Sequence, residues 1–404
     1  MVVTGMGVKS PAGDDLDSFW AGLLAAKGTA APITAFDASN HPVAFACEDT
    51  GFDVSPYLDV KEARRTDRAA QLGIGAALDA VAAAGDLQAD PARCGVVVGT
   101  GVGGLRTLED QVAVFVEKGP TRVSPFLVPM MMANATAALV GLKRGWTGPN
   151  VCVATACAAG THAIGEGARL IRDGSADVVL AGGTEAAVTP VAVAAFARMG
   201  ALSTASDDPT RASRPFDVSR DGFVIGEGAA FLVLEDLERA QARGATIVGE
   251  VLGYGRTCDA FHITAPAPGG AGAAASMQLA IDDAGLDSAS IGHINAHGTS
   301  TPLNDAAEAE AIVKVFGGRP VPVTSTKGVT GHLVGAAGAV EAVATLLAIA
   351  HGTVPATANH EVTDPEIAID VVHGSARIVP SGPALSNSFG FGGHNASVVL
   401  GPTP

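Results

Sequence analysis

The chain has 404 residues, of which 48% are hydrophobic and 16% charged, so it is long enough for two or three domain-sized units and a large apolar core. A net charge of −16 without a long basic stripe argues against nucleic-acid binding. Five cysteines without a CxxC pair argue against a disulfide framework or a zinc site, and they favour a reducing compartment.

The first residues, MVVTGMGV, predict a strand and a turn, and they lack the charged and apolar regions of a signal peptide. The most apolar stretches are interrupted by Glu185 and by Glu341, so we predict no membrane span. Together with the cysteine content, these features predict a cytoplasmic protein.

Short β-branched runs that end in glycine alternate with helical stretches along the chain. The runs include Val2–Thr4, Val96–Val98 and Val178–Leu180, and the helical stretches include Asp67–Ala84 and Glu235–Arg243. This alternation predicts an α/β protein in which helices pack on a mostly buried sheet.

A second half of similar topology is predicted to begin after Gly244. This glycine is a typical helix stop, and Val248–Leu252 then starts a new strand that ends in glycine, like the first strand of the chain. We therefore divide the chain into residues 1–244 and 245–404.

Cys157 stands where an apolar, strand-like run gives way to a helix, and residues 158–160 after it are all small. The helix is indicated by Ile164, Ala168 and Ile171, which are spaced four and three residues apart. At a helix N-terminus the dipole favours a thiolate, and free amides can hold an oxyanion. This setting predicts a nucleophile with room for a substrate, and an inert buried cysteine is the alternative.

Two glycines lie inside the same predicted helix, Gly165 and Gly167. Each costs helix stability, roughly 1 kcal/mol relative to alanine. We expect them because another segment of backbone packs closely against the helix.

Two histidines and a lysine occupy glycine-rich turns in the second half. His297 follows a short apolar run in NAHGTSTPLND, and Lys327 and His332 lie in TSTKGVTGHLVGAAGAVEA. A Phe-Gly-Phe-Gly-Gly loop in SNSFGFGGHNASVVLG precedes a final predicted strand. Catalytic groups concentrate in loops, although a single loop histidine is more often a hydrogen-bonded structural residue.

Four motifs together, in their order and spacing, resemble those of the elongating β-ketoacyl-[acyl carrier protein] synthases. They are ATACAAGTHAIGEG, HGTSTPLND, KGVTGHLVGAAG and NSFGFGGHN, and the resemblance extends over essentially the whole chain. It implies a thiolase-like α/β fold, in which two pseudo-repeated α/β halves form a five-layer αβαβα arrangement. The half 1–244 would carry the nucleophilic Cys157, and the half 245–404 would carry the catalytic His297 and His332.

The resemblance implies a decarboxylative Claisen condensation. Cys157 would accept an acyl group from the phosphopantetheine thiol of an acyl carrier protein, and malonyl carrier protein would then lose carbon dioxide. The resulting enolate would attack the Cys157 thioester. Two neutral imidazoles, His297 and His332, suit this chemistry because they can donate hydrogen bonds to the malonyl thioester oxygen. The sequence leaves open which histidine also assists decarboxylation.

Three further residues of the site follow from the matching motifs. Lys327 is expected to act on the electrostatics around His332, and Glu341 is expected to orient that histidine, with a plain buried salt bridge as the alternative. The backbone amides of Cys157 and Phe391 are expected to form an oxyanion hole, and the Phe391 side chain is expected to gate the acyl site.

Three threonines match substrate-binding positions of the family. Thr299 and Thr301 correspond to hydroxyls that bind the pantetheine amides, and Thr264 lies in the matching motif DAFHITAPAP. Threonines in turns often only cap the backbone, which is the alternative here.

Three apolar residues match the acyl tunnel of the family. Val102 and Phe196 correspond to positions beside the tunnel, and Met131 lies among three methionines where family members form its far end across a dimer interface. Methionine would supply an adaptable wall. Ordinary core packing is the alternative for all three residues.

An acidic carrier protein needs local basic charge on this acidic chain. The residues that match docking regions of the family are Lys61, Arg64, Arg65, Arg68 and Arg122. A docking arginine of related synthases falls here on Gly200, with Arg198 nearby, so the carrier contact is expected to be shifted. A charge run of this kind is otherwise typical of a solvated face.

The resemblance leaves several alternatives open. A non-condensing chain-length factor would lack the nucleophilic cysteine, and a thiolase acting on acyl-CoA would carry a second cysteine near the C-terminus, whereas the last cysteine here is Cys258. Fatty-acid and polyketide elongation share these motifs, as do a homodimer and a heterodimer with a chain-length-factor-like subunit. We expect no cofactor bound by the enzyme itself, because the carrier protein supplies the phosphopantetheine arm, and no nucleic-acid or membrane partner.

Overall fold

A computed structural model describes residues 1–404. The strands β1 to β15 are, in chain order, Val2–Lys9, Ala31–Pro32, Phe45–Ala46, Cys94–Gly99, Asn150–Val153, Val178–Ala186, Glu227–Glu235, Gly249–Cys258, His293–Asn295, Pro322–Thr324, Thr353–Val354, Asp370–Val371, Arg377–Ile378, Ala384–Gly390 and His394–Gly401. The helices α1 to α13 are Leu16–Ala25, Val60–Ala63, Arg68–Ala84, Leu105–Lys118, Leu127–Met131, Ala135–Arg144, Ala159–Arg172, Pro190–Arg198, Leu237–Ala242, Ala271–Asp283, Pro302–Phe316, Lys327–Thr330 and Ala337–His351.

Eleven strands form one continuous sheet in the order β12-β10-β9-β14-β15-β8-β1-β7-β6-β4-β5. Its two halves meet where β1 and β8 pair antiparallel over only two residue pairs. Outward from this junction run β1, β7, β6, β4 and β5 on one side and β8, β15, β14, β9 and β10 on the other. On both sides the first two strand pairs outward are antiparallel and the next two are parallel. The expected pseudo-repeat is therefore confirmed.

Helices separate and cover the two halves of the sheet. The outer helix α3 packs on β1, β7 and β6, and α10 packs on β8 and β15. The helices α7 and α13 lie between the halves, in contact with each other and with strands of both. This is the predicted αβαβα order, and it places the N-termini of two buried helices at the centre of the molecule.

The helix α13 explains the most apolar part of the sequence. By length and composition alone, Val334–His351 could span a membrane, but 89% of that stretch is buried inside the protein. The apolar side chains of this helix are therefore those of a core element between the two halves of the sheet.

The contact between the two central helices leaves no room for side chains at the closest positions. A Cβ on Gly338 of α13 would overlap Thr161 of α7. The two glycines predicted to admit a neighbouring backbone, Gly165 and Gly167 of α7, instead make room for side chains. Gly165 makes room for the ring of Tyr254, and Gly167 makes room for the side chain of Ala181. The groups that approach α7 closely at these two positions are therefore side chains of β8 and β6, and not backbone.

The predicted helices are nearly correct in position. Asp67 caps α3, whose first residue is Arg68, by accepting a hydrogen bond from the Ala69 amide at 3.0 Å. The later helix begins at Leu237, because Glu235 is the last residue of β7 and Asp236 provides the cap.

Candidate active site

Cys157 sits on a sharp turn between a strand and a central helix. The strand β5 ends at Val153, a single 3-10 turn spans Ala156–Ala158, and α7 begins at Ala159. Ala156 has a φ of +50°, a left-handed conformation that is unfavourable for a residue with a side chain. This turn places the thiol at the N-terminus of α7, as predicted.

Two imidazoles converge on that thiol. One nitrogen of His297, one nitrogen of His332 and the sulfur of Cys157 all lie within 4.8 Å of one another. The two rings are 5.3 Å apart between centroids and are nearly perpendicular, at 83°. Both histidines are buried, and they come from the turns that follow β9 and precede α13.

Lys327 contacts His297 directly, in addition to its predicted effect on the electrostatics around His332. Its ammonium donates to the backbone oxygen of His297 at 2.6 Å, lies 3.3 Å from Nδ1 of the same ring and forms an ion pair with Glu341. An ammonium group can only donate, so Nδ1 accepts and the ring proton is on Nε2. Glu341 therefore holds Lys327 and not His332, and the prediction that it orients His332 is wrong.

His332 is held by its backbone and by packing. Its amide donates to the oxygen of Val224 at 2.7 Å, and the ring of Phe223 lies edge-on at 5.2 Å. Neither ring nitrogen has a hydrogen-bond partner in the protein, although both are buried. A buried polar atom normally has a partner, so both nitrogens remain available for a hydrogen bond to a bound molecule.

The environment keeps both imidazoles neutral. Burial lowers the pKa of His297 and of His332 well below the usual range, and the charge of Lys327 lowers both further. Neutral rings are the form that the predicted hydrogen-bond donation requires.

The thiol of Cys157 is not a resting thiolate, which differs from the expectation based on the helix dipole. Cys157 keeps part of its surface accessible, yet burial raises the pKa of its thiol to about 11. Lys327 and the Phe391 amide favour the thiolate and so oppose this rise in pKa, but desolvation is the larger effect.

A buried glutamate that the sequence analysis missed holds the loop of His297. The carboxylate of Glu308 on α11 accepts hydrogen bonds from the amides of His297 at 2.8 Å and of Gly298 at 2.7 Å. Burial raises the pKa of Glu308 to about 7. Its sequence context, DAAEAEAIV, resembles an ordinary amphipathic helix and contains no signal for this role.

Phe391 lies beside the nucleophile, as predicted. Its backbone amide reaches the thiol of Cys157, and a Cβ on the preceding Gly390 would lie 3.0 Å from the Cys157 nitrogen. The Phe391 ring is 6.5 Å from that of Phe196, which packs edge-on against Phe223 at 5.5 Å. An aromatic cluster therefore connects the predicted gate with the predicted tunnel residue.

The three threonines lie in two separate loops. The hydroxyls of Thr299 and Thr301 are 2.9 Å apart in the turn after His297. Thr264 lies in a surface loop, where its amide donates to Nδ1 of His262 at 3.1 Å. The same loop reaches the gate, because the amide of Gly392 donates to the oxygen of Ile263 at 2.7 Å.

The remaining predicted tunnel residues lie together at the surface. Val102 is 48% exposed and belongs to the loop between β4 and α4. This loop packs on α5 through a hydrogen bond from the Gly104 amide to the oxygen of Met131 at 3.3 Å. Met131 is partly buried.

Four of the five predicted docking residues have exposed side chains: Lys61, Arg64, Arg65 and Arg122. The guanidinium of Arg65 stacks 4.2 Å above the ring of Phe126. Arg68 differs, because its guanidinium donates to the oxygen of Asp49 at 2.5 Å and to Glu227 at 3.0 Å. Its guanidinium is already paired with these two residues, so Arg68 is left out of the proposed docking surface.

A thiol and two imidazoles are also donor types that zinc prefers. The ammonium of Lys327 lies 3.3 Å from Nδ1 of His297, and it would repel a dication at this position. The arrangement fits a nucleophile with two hydrogen-bond donors better than it fits a metal centre.

Comparisons with known proteins agree with this geometry. Residues 1–240 match the beta-ketoacyl synthase N-terminal domain, and residues 248–361 match the beta-ketoacyl synthase C-terminal domain. The 3-oxoacyl-[acyl-carrier-protein] synthase 2 of a Synechocystis species is 49% identical over 99% of this chain and 97% of its own length.

Solved structures extend the comparison to three dimensions. The ishigamide ketosynthase/chain length factor superimposes with a TM-score of 0.93 at 39% identity, covering 100% of this chain and 99% of the other. A type II polyketide synthase acyl-carrier protein in complex with its hexaketide-bound ketosynthase gives 0.91 at 30% identity, with the same coverage. With its fold, its Cys-His-His centre and matches along nearly its whole length, the chain belongs to the beta-ketoacyl synthase family.

Proposed function

We propose that the chain elongates acyl groups by decarboxylative condensation with malonyl-[acyl carrier protein]. The observation that carries the proposal is the convergence of the Cys157 sulfur with one nitrogen each of His297 and His332, within 4.8 Å of one another. A thiol can hold the growing chain, and two neutral imidazoles can bind the oxygen of a second thioester beside it.

The first step transfers an acyl group to Cys157. The sulfur forms a thioester with the acyl carbonyl carbon, the bond to the pantetheine sulfur breaks, and the thiol proton ends on that leaving sulfur. The amides of Cys157 and Phe391 stabilise the oxyanion between these two events. Since burial raises the pKa of the thiol to about 11, the thiol enters this step protonated and loses its proton during the transfer.

The second step generates the carbon nucleophile. The carbon–carbon bond to the malonyl carboxylate breaks, carbon dioxide leaves, and the electron pair forms an enolate. Nε2 of His297, which carries its ring proton because Lys327 faces Nδ1, donates to the thioester oxygen together with His332. Loss of one such donor typically costs about 3–4 kcal/mol of transition-state stabilisation.

The third step joins the two chains. The enolate carbon bonds to the acyl carbonyl carbon, the bond to the Cys157 sulfur breaks, and the released thiolate takes up a proton from the solvent. The product is a 3-oxoacyl carrier protein with a chain two carbons longer. No cofactor of the enzyme itself takes part, because the carrier's phosphopantetheine arm brings both substrates.

The surrounding residues are assigned to binding. We assign Thr299 and Thr301 to the pantetheine arm because they lie in the turn after His297, and we add Thr264 because its loop is bonded to Gly392 beside the gate. We assign the acyl pocket to Val102, Phe196 and Met131. Carrier docking is assigned to the exposed basic residues Lys61, Arg64, Arg65 and Arg122.

A second subunit is supported by apolar surface at one edge of the sheet. The outermost strand β5 exposes Val151, and the helices α4 and α5, which contact each other, expose Val112, Phe115, Val116 and Val128, each by 44% or more. An apolar patch of this kind on a folded protein typically marks an interface. The partner is a second copy or a chain-length-factor-like subunit, and light scattering of the protein expressed alone distinguishes the two.

Two further assignments complete the proposal. We place the boundary between the halves at 244/245, between α9 and β8, where the chain crosses from one half of the sheet to the other. We place the protein in the cytoplasm, on the basis of its five unpaired cysteines.

Mass spectrometry after incubation with acyl carrier proteins tests the function. We expect an acyl mass gain on Cys157 that is absent in Cys157→Ala and retained in Cys258→Ala, which removes an exposed cysteine instead. Malonyl carrier protein should then release carbon dioxide and give the elongated 3-oxo product. Absence of acylation of the wild-type protein from every carrier would contradict the proposal.

A further inference from the structure

Glu185 is a fully buried carboxyl group that the proposed reaction does not use. It lies near the end of β6, and its exposure is 0%. In the sequence, Glu185 is notable only because it interrupts an apolar run. In the structure it binds backbone from two segments that are distant in the sequence.

One set of donors comes from the loop that carries Val102. The hydroxyl of Thr100 donates to the Glu185 carboxylate at 3.0 Å, the amide of Gly101 donates at a shorter distance, and the amides of Val102 and Gly103 donate at 3.4 Å. This loop is the same one that packs on α5 through Gly104. A single side chain therefore binds four successive residues of the loop.

The other donor is the amide of Gly335, at 3.2 Å, three residues after His332. The turn Val334–Ala336 before α13 corresponds to the turn Ala156–Ala158 before α7. Each turn begins with a residue in the left-handed region, with a φ of +48° for Val334 and +50° for Ala156. Gly335 thus stands in the second half where Cys157 stands in the first.

Because the two turns correspond, Glu185 binds the second-half amide that is equivalent to the amide of Cys157. In the first half the amide of Cys157 belongs to the proposed oxyanion hole. In the second half the equivalent amide is occupied by the Glu185 carboxylate. The space between the segments is filled, since a Cβ on Gly101 would lie 2.7 Å from a Glu185 oxygen and 2.9 Å from Val334.

We propose that Glu185 is a positioning residue that sets acyl-chain selectivity by fixing the Val102 loop against the turn that follows His332. The inference rests on the proposed function, because it concerns which chain Cys157 accepts. All five groups around the carboxylate are donors, so a carboxamide at this position would place an N–H group against another donor. The loop, and with it the wall of the pocket, would shift.

The test compares acylation of Cys157 across a series of saturated acyl carrier proteins of increasing chain length. Wild type is compared with Glu185→Gln and Glu185→Asp. Thr184→Val is the matched control, because Thr184 is the neighbour on β6 whose hydroxyl bonds to Ala69 on the opposite side of the sheet. It removes a buried hydrogen bond from the same strand without touching the loop.

We expect Glu185→Gln to change the ratio of kcat/KM between the preferred and a longer chain by about tenfold or more, the scale at which apolar pockets discriminate single methylenes. Glu185→Asp should restore part of the selectivity, and Thr184→Val should retain the wild-type ratio. An equal loss for all chains in Glu185→Gln, with the ratio unchanged, would overturn the inference and leave a structural role only.

A second variant covers the case in which Glu185→Gln does not fold. Gly101→Ala pushes the loop away from Glu185 while the carboxylate stays, and we expect the same change in the chain-length ratio. An unchanged ratio in that variant would also overturn the inference. Failure of the wild-type protein to become acylated would contradict the proposed function instead, so the two failures are distinguishable.

Discussion

Replacement of Lys327 by methionine tests how the buried charges organise the site. The side chains of Lys327 and its partner Glu341 are exposed by only 1% and 2%. Lys327→Met keeps the length and apolar character of the side chain but leaves the Glu341 carboxylate without its cation. It also removes the donor that faces Nδ1 of His297 at 3.3 Å. Stability and activity should therefore both change, for separate reasons.

The loss of stability follows from the unpaired carboxylate. Breaking a buried ion pair typically costs about 3–5 kcal/mol. Unfolding entropy is about 2.1 cal/mol/K per residue, so for this chain a loss of 4 kcal/mol lowers the Tm by about 5 °C. Lys143→Met is a matched control, because its ion pair with Glu62 is partly exposed and should contribute no more than about 1 kcal/mol.

The loss of folding stability in Lys327→Met should depend on pH. Burial raises the pKa of Glu341 to about 7 in the presence of Lys327, which lowers it, so removal of Lys327 raises it further. A carboxyl group whose pKa is raised in the folded state stabilises the protein fully when the pH is below its unfolded-state pKa of 4.5. That contribution is lost, by about 1.4 kcal/mol per pH unit, as the pH rises to the folded-state pKa. The variant should therefore be closest to wild type near pH 5 and furthest from it near pH 8.

The loss of activity follows from His297. Without Lys327 the ring is no longer held with its proton on Nε2, and the rate of carbon dioxide release from malonyl carrier protein should fall by about 10²–10³. The double variant Lys327→Met with Glu341→Gln should recover most of the stability but not this activity. Unaltered carbon dioxide release in Lys327→Met, or a Tm loss that is independent of pH, would refute the reasoning.

Three further predictions concern the nucleophile, the central helices and the docking surface. Since the pKa of Cys157 is about 11, its alkylation by iodoacetamide should accelerate about tenfold per unit between pH 7 and pH 10, and a rate independent of pH would contradict this. Gly338→Ala should lower stability by about 1–3 kcal/mol in denaturant titrations, whereas Gly382→Ala, which meets no atom within 4 Å, should stay near wild type. Arg64→Glu with Arg65→Glu should weaken binding of acyl carrier protein while leaving transfer from a small acyl thioester nearly intact, and equal losses in both assays would count against docking there.

The docking surface illustrates a limit of charge patterns in a sequence. Lys61, Arg64, Arg65 and Arg68 form one basic run in the sequence, yet Arg68 begins α3 and directs its guanidinium to Asp49 and Glu227. Lys61, Arg64 and Arg65 are exposed and remain available to bind a carrier protein. A charge run contains no information on which members face inward, because this depends on where each falls relative to the start of the helix.

The electrostatics of the site were the least accessible part of the chain from sequence alone. The motif around Lys327 suggested that it acts on His332, and its charge does lower the pKa of that histidine, but its direct contacts are with His297 and Glu341. The helix dipole suggested a thiolate at Cys157, whereas desolvation keeps the thiol protonated. Both results depend on the distances and burial produced when segments far apart in sequence pack together.

The sequence by itself predicted the α/β class from local patterns and, through its resemblance to the β-ketoacyl synthases, the three side chains that the structure brings together. Strand and helix periods are local properties, and small residues around a cysteine or histidine are visible in a short window. Only the tertiary structure decided that Glu185 and Glu308 bind loop amides, that Glu341 holds Lys327, and that side chains fill the space left by the glycines of α7. A buried carboxylate binds whichever donors the packed backbone presents to it, and no local pattern encodes those donors.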